Sequence, residues 1–461
     1  MSIPLDNLYD YIFSLTGHTN KNLIMYRFDP HGSKDIKNLI VHNNVEHLFL
    51  YSKFFKENPK TSFHHKLLFC YDQEPLNFDL YSSDYFDNSR KTLFYDWEGE
   101  QNHFNDEFGK KIIKRKNIAG HPNVKSSIYN KNILLHSEKN SKDLEKYERN
   151  GFIGVYYWSH AFLALDWYRF VNHDQNFKNL LNTSFSKDFN IYCRAWSGTR
   201  EYRLKFLTSL PNSVTKNSNI FFNVDSENSK FYDYKFQNSN WIISKKEIEK
   251  IDNLNYTTRK NQHSELSAAY NTGDYCTSAI DVVLETIYDQ GKIQLTEKIL
   301  RPIACGKPFI LVSEKGSLEY LKCYGFKTFN SLIDESYDKI SCPIKRLKSI
   351  SNTMRVISNL SIKEKNKLFL KMHKIADYNK KRFFSENFFS VINDELKNNL
   401  TNALAVLDKP ENQTAKVPMK DYRFYRRYEK CFNGDAKEIA NMYIQEYPER
   451  IKLSKKNIGI S

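Results

Sequence analysis

The feature that most constrains this chain is an alternation of short apolar runs with longer stretches of helical spacing. The runs lie at 38–41, 46–51, 66–71, 91–95, 131–136, 151–157, 189–194, 219–223, 279–286 and 308–313. Each ends in polar or turn-forming residues, as buried strands do where they leave a sheet. Such strands separated by helical segments predict α/β layers with parallel sheets. The chain has 461 residues, and one hydrophobic core rarely grows past about 250–300 residues, so two domains are expected. A stretch rich in Asn, Asp, Ser and Lys at 172–188 reads as the linker between them. The expected organisation is an N-terminal α/β domain over 1–180, a second over 186–400 and a separate segment over 409–461. Residues 211–216 and 253–262 read as loops. Residues 361–405 read as helix, with Leu368, Met372, Ile375, Phe383 and Phe384 on an apolar face.

Charge and cysteine usage narrow the setting. The net charge is +15 with a sequence pI near 9.1. That surplus suits an anionic partner, either nucleic acid, an acidic surface or a phosphorylated substrate. A codon bias toward Lys, Asn, Ile, Phe and Tyr is the competing explanation. The cysteines, at 70, 193, 276, 305, 323, 342 and 431, are odd in number and form no Cys-x-x-Cys pair. A reducing compartment is expected, with neither a disulfide framework nor a zinc site. The first twenty residues do not read as a signal peptide, and no run of about 18 apolar residues occurs, so a cytoplasmic protein without a membrane span is expected.

The segment 281–329 carries the most chemistry. It reads as a strand, a loop, a helix opened by Thr296-Glu297-Lys298, a Gly306-Lys307-Pro308 turn, a second strand, and another helix after Gly316-Ser317. Ligands of open parallel sheets sit outside the carboxyl ends of the strands. Thr296 is a good helix cap, and a carboxylate at Glu297 can accept two hydrogen bonds from ribose hydroxyls. Backbone N–H groups at a helix start suit a diphosphate, and Gly316 offers a second such start.

A second constellation is the strand–loop–helix from Ile191 to Leu210, which places Arg194, Arg200 and Arg203 around Gly198. Arginine binds phosphate through paired hydrogen bonds and never titrates away. One glycine is too few for a dinucleotide fingerprint.

Thr296-Glu297-Lys298 followed by Pro302-Ile303-Ala304-Cys305-Gly306-Lys307-Pro308 resembles the donor-site segment of glycosyltransferases with two Rossmann-like domains, above all the fucosyltransferase type. The resemblance covers about 30 residues. It implies two Rossmann-like domains facing a central cleft (the GT-B arrangement) with C-terminal helices. It also implies a nucleotide-sugar co-substrate, with Glu297 on the ribose and Arg194, Arg200 and Lys298 near the diphosphate. Arg203, Gly198, Thr296 and Gly316 complete the expected donor site. No Asp-x-Asp motif occurs, which favours a leaving group stabilised by basic side chains and helix dipoles without metal or other cofactor.

Sugar transfer needs a base for the acceptor hydroxyl. Asp72 and Glu74, at the end of the run 66–71, are the first candidates. His136-Ser137-Glu138 is a weaker strand end, and His160 is an alternative base. Trp158, within an aromatic stretch from Tyr156 to Arg169, is a candidate acceptor contact or plain core. Arg423, Arg426 and Arg427 interleave with aromatic residues in the final segment, as in nucleic-acid contacts or an amphipathic helix. The 194–203 loop together with the Thr-Glu-Lys segment is similar to phage-encoded glycosyltransferases, which implies hydroxymethylated bases of double-stranded DNA as acceptor. A cell-surface or capsid glycan is the alternative acceptor. A non-catalytic nucleic-acid-binding or phage structural protein is the alternative of a different class.

Overall fold

The computed structural model describes residues 8–16, 23–27, 66–79, 131–171, 185–225, 230–258, 271–409 and 412. The chain divides into two compact units. One comprises Met1–Leu8, Ser137–Lys142 and Trp158–Glu395; the other comprises Tyr9–His136, Asp143–Tyr157 and Leu396–Ser461. Each unit is built from more than one stretch of the chain.

The second unit holds α1 (Leu8–Leu15), β1 (Leu23–Arg27), β2 (Lys66–Cys70), β3 (Asn132–His136), α2 (Lys142–Arg149) and β4 (Phe152–Tyr156). Its strands are all parallel in the order β1-β2-β3-β4, with Met25 opposite Leu68, Phe69 opposite Leu134 and Leu134 opposite Gly154. Gly154 is a requirement of packing. A Cβ there would lie 2.9 Å from Leu144 Cδ1 and 3.0 Å from Glu148 Oε1, so α2 lies against bare backbone.

The first unit contains α3 (Ser159–Trp167), β5 (Lys187–Cys193), α4 (Tyr202–Ser209), α5 (Asn212–Lys216), β6 (Ser218–Phe222), α6 (Lys245–Asp252), α7 (Thr272–Thr277) and β7 (Ser278–Leu284). It continues through α8 (Glu297–Cys305), β8 (Phe309–Val312), α9 (Ser317–Cys323), α10 (Pro343–Ser358) and α11 (Ile362–Phe383) into α12 (Glu386–Leu407), which runs on past Glu395 into residues of the second unit. Its sheet is again wholly parallel, in the order β6-β5-β7-β8. Every residue of β7 and β8 is buried, which accounts for the unbroken apolar runs: a parallel strand covered on both faces has no polar side to show. The protein is thus α/β with parallel sheets, compatible with a Rossmann-like fold.

The runs at 66–71, 131–136, 151–157, 189–194, 219–223, 279–286 and 308–313 correspond to β2 through β8. Those at 38–41, 46–51 and 91–95 lie outside the described residues, as do 172–184 of the expected linker. β1 has no counterpart among the expected strands. Residues 211–216, expected as a loop, form α5. Pro211 stands extended just before it (φ −69°, ψ 154°), where its missing N–H costs nothing, so the proline opens a helix instead of ending one. The long helical stretch is two helices. Ser361 caps α11 in a reciprocal box with Glu364, and the break falls between Phe383 and Glu386.

One strand residue departs from the apolar pattern. Asp281 is fully buried in the middle of β7. Its carboxylate accepts from Asn190 Nδ2 (3.0 Å) and Tyr275 Oη (2.8 Å) and pairs with Arg301 Nη2 at 3.6 Å. Arg301 Nε in turn donates to Tyr275 Oη at 2.9 Å. The charge is tolerated because each member of the network is hydrogen-bonded.

Lys307, in the turn after α8, is also buried, and its ammonium donates to the carbonyls of Tyr275 and Ser278. Burial pushes its pKa from 10.5 down to about 7. Between those values the unfolded chain binds a proton that the folded protein does not, so this lysine makes stability rise with pH from about 7 to 10.5, by up to about 1.4 kcal/mol per pH unit. Urea titrations at pH 7, 8 and 9 are expected to show this rise in the wild type. A Lys307→Met variant, though less stable overall, is expected to lack it. Equal slopes in the two proteins would contradict the assignment.

Candidate functional site

The order of the first sheet defines where a ligand belongs. From β5 the chain goes to β6 on one side and later returns to β7 on the other. In parallel open sheets that reversal leaves a crevice at the carboxyl ends of the two central strands. Ile191 of β5 lies opposite Val282 of β7, so Cys193 and Leu284 end side by side. The loops that follow them are the Arg194–Arg200 loop and the segment 285–296, the two places singled out from the sequence.

Packing holds these loops in place. Trp196 is fully buried, and its indole N–H donates to the carbonyls of Asn223 and Val224 at 3.1 and 3.0 Å. Gly198 has φ +61°, a left-handed conformation that favours glycine, and its N–H donates to Tyr234 Oη at 2.8 Å. Tyr234 donates to the buried carboxylate of Glu201, which also accepts the backbone N–H groups of Gln237 and Asn238. Arg194 and Arg200 stand half-buried on this framework. Arg203 behaves differently. Its guanidinium donates to Ala195 O (2.6 Å), Leu284 O (2.8 Å) and Glu285 O (2.9 Å). It is buried and committed to main chain, so its expected role as a phosphate ligand is replaced by another: it staples the loop after β5 to the end of β7.

The second loop ends in a buried polar cluster. Glu285 Oε1 accepts the Thr296 N–H at 3.1 Å, and Oε2 accepts the Thr296 hydroxyl at 2.7 Å. Burial raises the pKa of Glu285, against the pull of Lys298 and the Thr296 hydrogen bonds. Thr296 is extended (φ −114°) and caps α8 by accepting from Lys298 N. Lys298 Nζ lies 2.7 Å from Glu297 Oε1, and His160 Nε2 lies 3.6 Å from Glu297 Oε2. His160 Nδ1 is 3.4 Å from Ser159 Oγ, which is 2.7 Å from Ser137 Oγ. His160, Thr296, Glu297 and Lys298 are thus brought together, with an imidazole beside one oxygen of the carboxylate and an ammonium on the other. Behind the helix, Gly306 (φ +69°) closes it with Lys380 Cδ only 3.2 Å from where a Cβ would sit.

Other expected residues fall elsewhere. Gly316 does not offer a second anion site. The Asp338 carboxylate accepts the N–H groups of Leu318 and Glu319, and the Asp338 carbonyl accepts that of Gly316, so the start of α9 is already filled by an acid. Trp158 is core: it is fully buried, donates to Leu295 O at 2.8 Å, and packs against Tyr320, Tyr324 and Phe388. Glu74 is half-buried in the turn after β2. Arg423, Arg426 and Arg427 lie outside the described residues.

Asp72 is buried, and its two oxygens accept from Tyr9 Oη at 3.1 Å and from Tyr157 Oη. The candidate base is thus bonded to two phenols of its own unit. Asp72→Ala is expected to lower the stability of the protein by about 2–4 kcal/mol, as it leaves two buried phenols without their acceptor; urea unfolding measures this, and a loss below 1 kcal/mol would show the bonds to be dispensable.

Glu285 and Glu201 were not among the residues expected in the site. Glu285 had a visible signal, an acidic residue closing the apolar run 279–286 at its carboxyl end. Glu201 had none, because its partners are 33 to 37 residues away. Compared with family models, with curated proteins and with solved structures, the chain matches none.

Proposed function

We propose that this chain is a nucleotide-sugar glycosyltransferase whose donor binds at the carboxyl ends of β5 and β7. One observation supports the reading above the others. The loop bearing Arg194 and Arg200 and the segment leading to Glu297 and Lys298 follow neighbouring strands at the switch point of a parallel sheet, and Arg203 ties that loop to the end of β7. Glu297 accepts the ribose hydroxyls, held by His160. Arg194, Arg200 and Lys298 neutralise the diphosphate, so that it leaves as the bond to the anomeric carbon breaks. The acceptor hydroxyl forms the new bond and gives its proton to a base. This assigns His160 to positioning Glu297. The two parallel α/β units are read as the two Rossmann-like halves of such an enzyme.

For the acceptor we propose a hydroxymethylated base in duplex DNA, a reading supported by the net charge of +15. Thermal-shift titration with UDP, GDP, CDP, ADP and dTDP, with and without their sugars, tests the donor; ligand at about 100 times its Kd adds near 2.7 kcal/mol of apparent stability. No shift with any of them would favour a nucleic-acid-binding protein without catalysis. Binding to hydroxymethylated DNA is expected to weaken steeply between 50 and 200 mM salt. Sugar transfer to a glycan but not to that DNA would move the acceptor to the glycan class.

A further inference from the structure

The segment entering α8 carries a buried polar row that the donor assignment does not use. Ile293 pairs in antiparallel fashion with Lys139, its N–H and C=O both bonded at 2.9 Å. Leu295 O accepts from Trp158, and Thr296 is extended and held by Glu285. The segment is thus pinned at three successive points. Lys292, Gln294 and Thr296 are alternate residues of this segment, and all three are buried. Lys292 is buried against Glu138 at 3.0 Å, and Glu138 also accepts Ser141 Oγ. Thr296 meets Glu285.

Gln294, between them, is 1% exposed, yet neither its amide nitrogen nor its amide oxygen has a hydrogen-bond partner among the described residues. Burying an amide with nothing to bond is costly, and such a group in a native structure calls for a reason. The surroundings are also specific. Two residues before it stands the Lys292 ammonium paired with Glu138, two residues after it the Thr296 hydroxyl bonded to Glu285, and Glu297 and Lys298 follow the Thr296 cap. An amide offering both a donor and an acceptor beside a lysine–glutamate pair suits vicinal hydroxyls, which donate and accept at once.

We propose that Gln294 is a specificity-determining residue that hydrogen-bonds the hydroxyls of the transferred sugar, its amide left without protein partners for that purpose. This rests on the donor site proposed above. A group kept for a ligand is destabilising until the ligand arrives, whereas a structural amide would be stabilising throughout, and that difference provides the test.

The experiment compares wild type with Gln294→Met and Gln294→Leu. Thermal unfolding is measured without ligand. Affinity is then measured calorimetrically for the nucleoside diphosphate that gives the largest shift in the titration above and for its sugar conjugate. Both variants are expected to melt at or above the wild-type temperature. They are expected to bind the free diphosphate within about twofold of wild type and the sugar conjugate at least tenfold more weakly. Variants that melt several degrees lower would show that the amide has a structural partner and would overturn the inference. Unchanged affinity for the sugar conjugate would overturn it while leaving the donor site intact. Failure of the wild type to bind any of the nucleotides would instead overturn the donor site, and the inference with it.

Discussion

Glu297→Ala is expected to weaken binding of the donor nucleotide by about 1–3 kcal/mol, roughly 5- to 150-fold, with little change in stability. The reason is local. The carboxylate stands in the first turn of α8, its oxygens beside Lys298 and His160. Removing it takes two acceptors from the ribose and leaves Thr296 to cap the helix. Isothermal titration with the free nucleoside diphosphate is the measurement, because it isolates the ribose and phosphate contacts from those of the sugar. His160→Ala should show a smaller loss, near tenfold, since the imidazole only orients the carboxylate. Equal affinity in wild type and Glu297→Ala would remove the central support of the proposed donor site. A larger loss in His160→Ala than in Glu297→Ala would show that the imidazole contacts the ligand itself.

The largest expected effect on stability belongs to Asp281. Asp281→Ala takes its carboxylate partner from Arg301, whose side chain is 8% exposed, and removes the acceptor of Asn190 and Tyr275. Breaking one partner of a buried pair costs about 3–5 kcal/mol. Urea unfolding should register a loss of that size, with the slope of the transition unchanged. Replacing both members, Asp281→Leu with Arg301→Met, should recover most of it, because the desolvated charge is gone and apolar side chains fill the space. A double variant as unstable as the single one would mean that Asp281 acts through hydrogen bonds alone. The site at the carboxyl ends of β5 and β7 depends on this network indirectly: Asp281 and Arg301 lie on the strand and the helix that bracket the segment 285–296.

The strands β2 through β8 were legible because burial on both faces writes a parallel strand as an unbroken apolar run. The ends of α8 were legible because the signals that start and stop it, Thr296 and Gly306, are local in sequence. The same holds for the capping box of Ser361 and Glu364. β1 was missed, and α5 was read as a loop because Pro211 marks a boundary without saying on which side of it the helix lies.

What the sequence determined by itself is the content of β2 through β8 and of α8, with Arg194 and Arg200 in the loop after a predicted strand and Glu297 and Lys298 at a predicted helix start. Those readings rest on periodicity and capping, which are properties of neighbours along the chain. Only the tertiary structure decided what each charged group does. It placed β5 and β7 side by side at a reversal of strand order, set His160 against Glu297 across 137 positions of sequence, and turned Arg203 and Asp72 into structural partners of distant carbonyls and phenols. It also filled the start of α9 with Asp338. A charged side chain looks the same in sequence whether it is free for a ligand or bonded to protein, because the difference lies in which long-range partner satisfies it, and the packing of the fold alone supplies that partner.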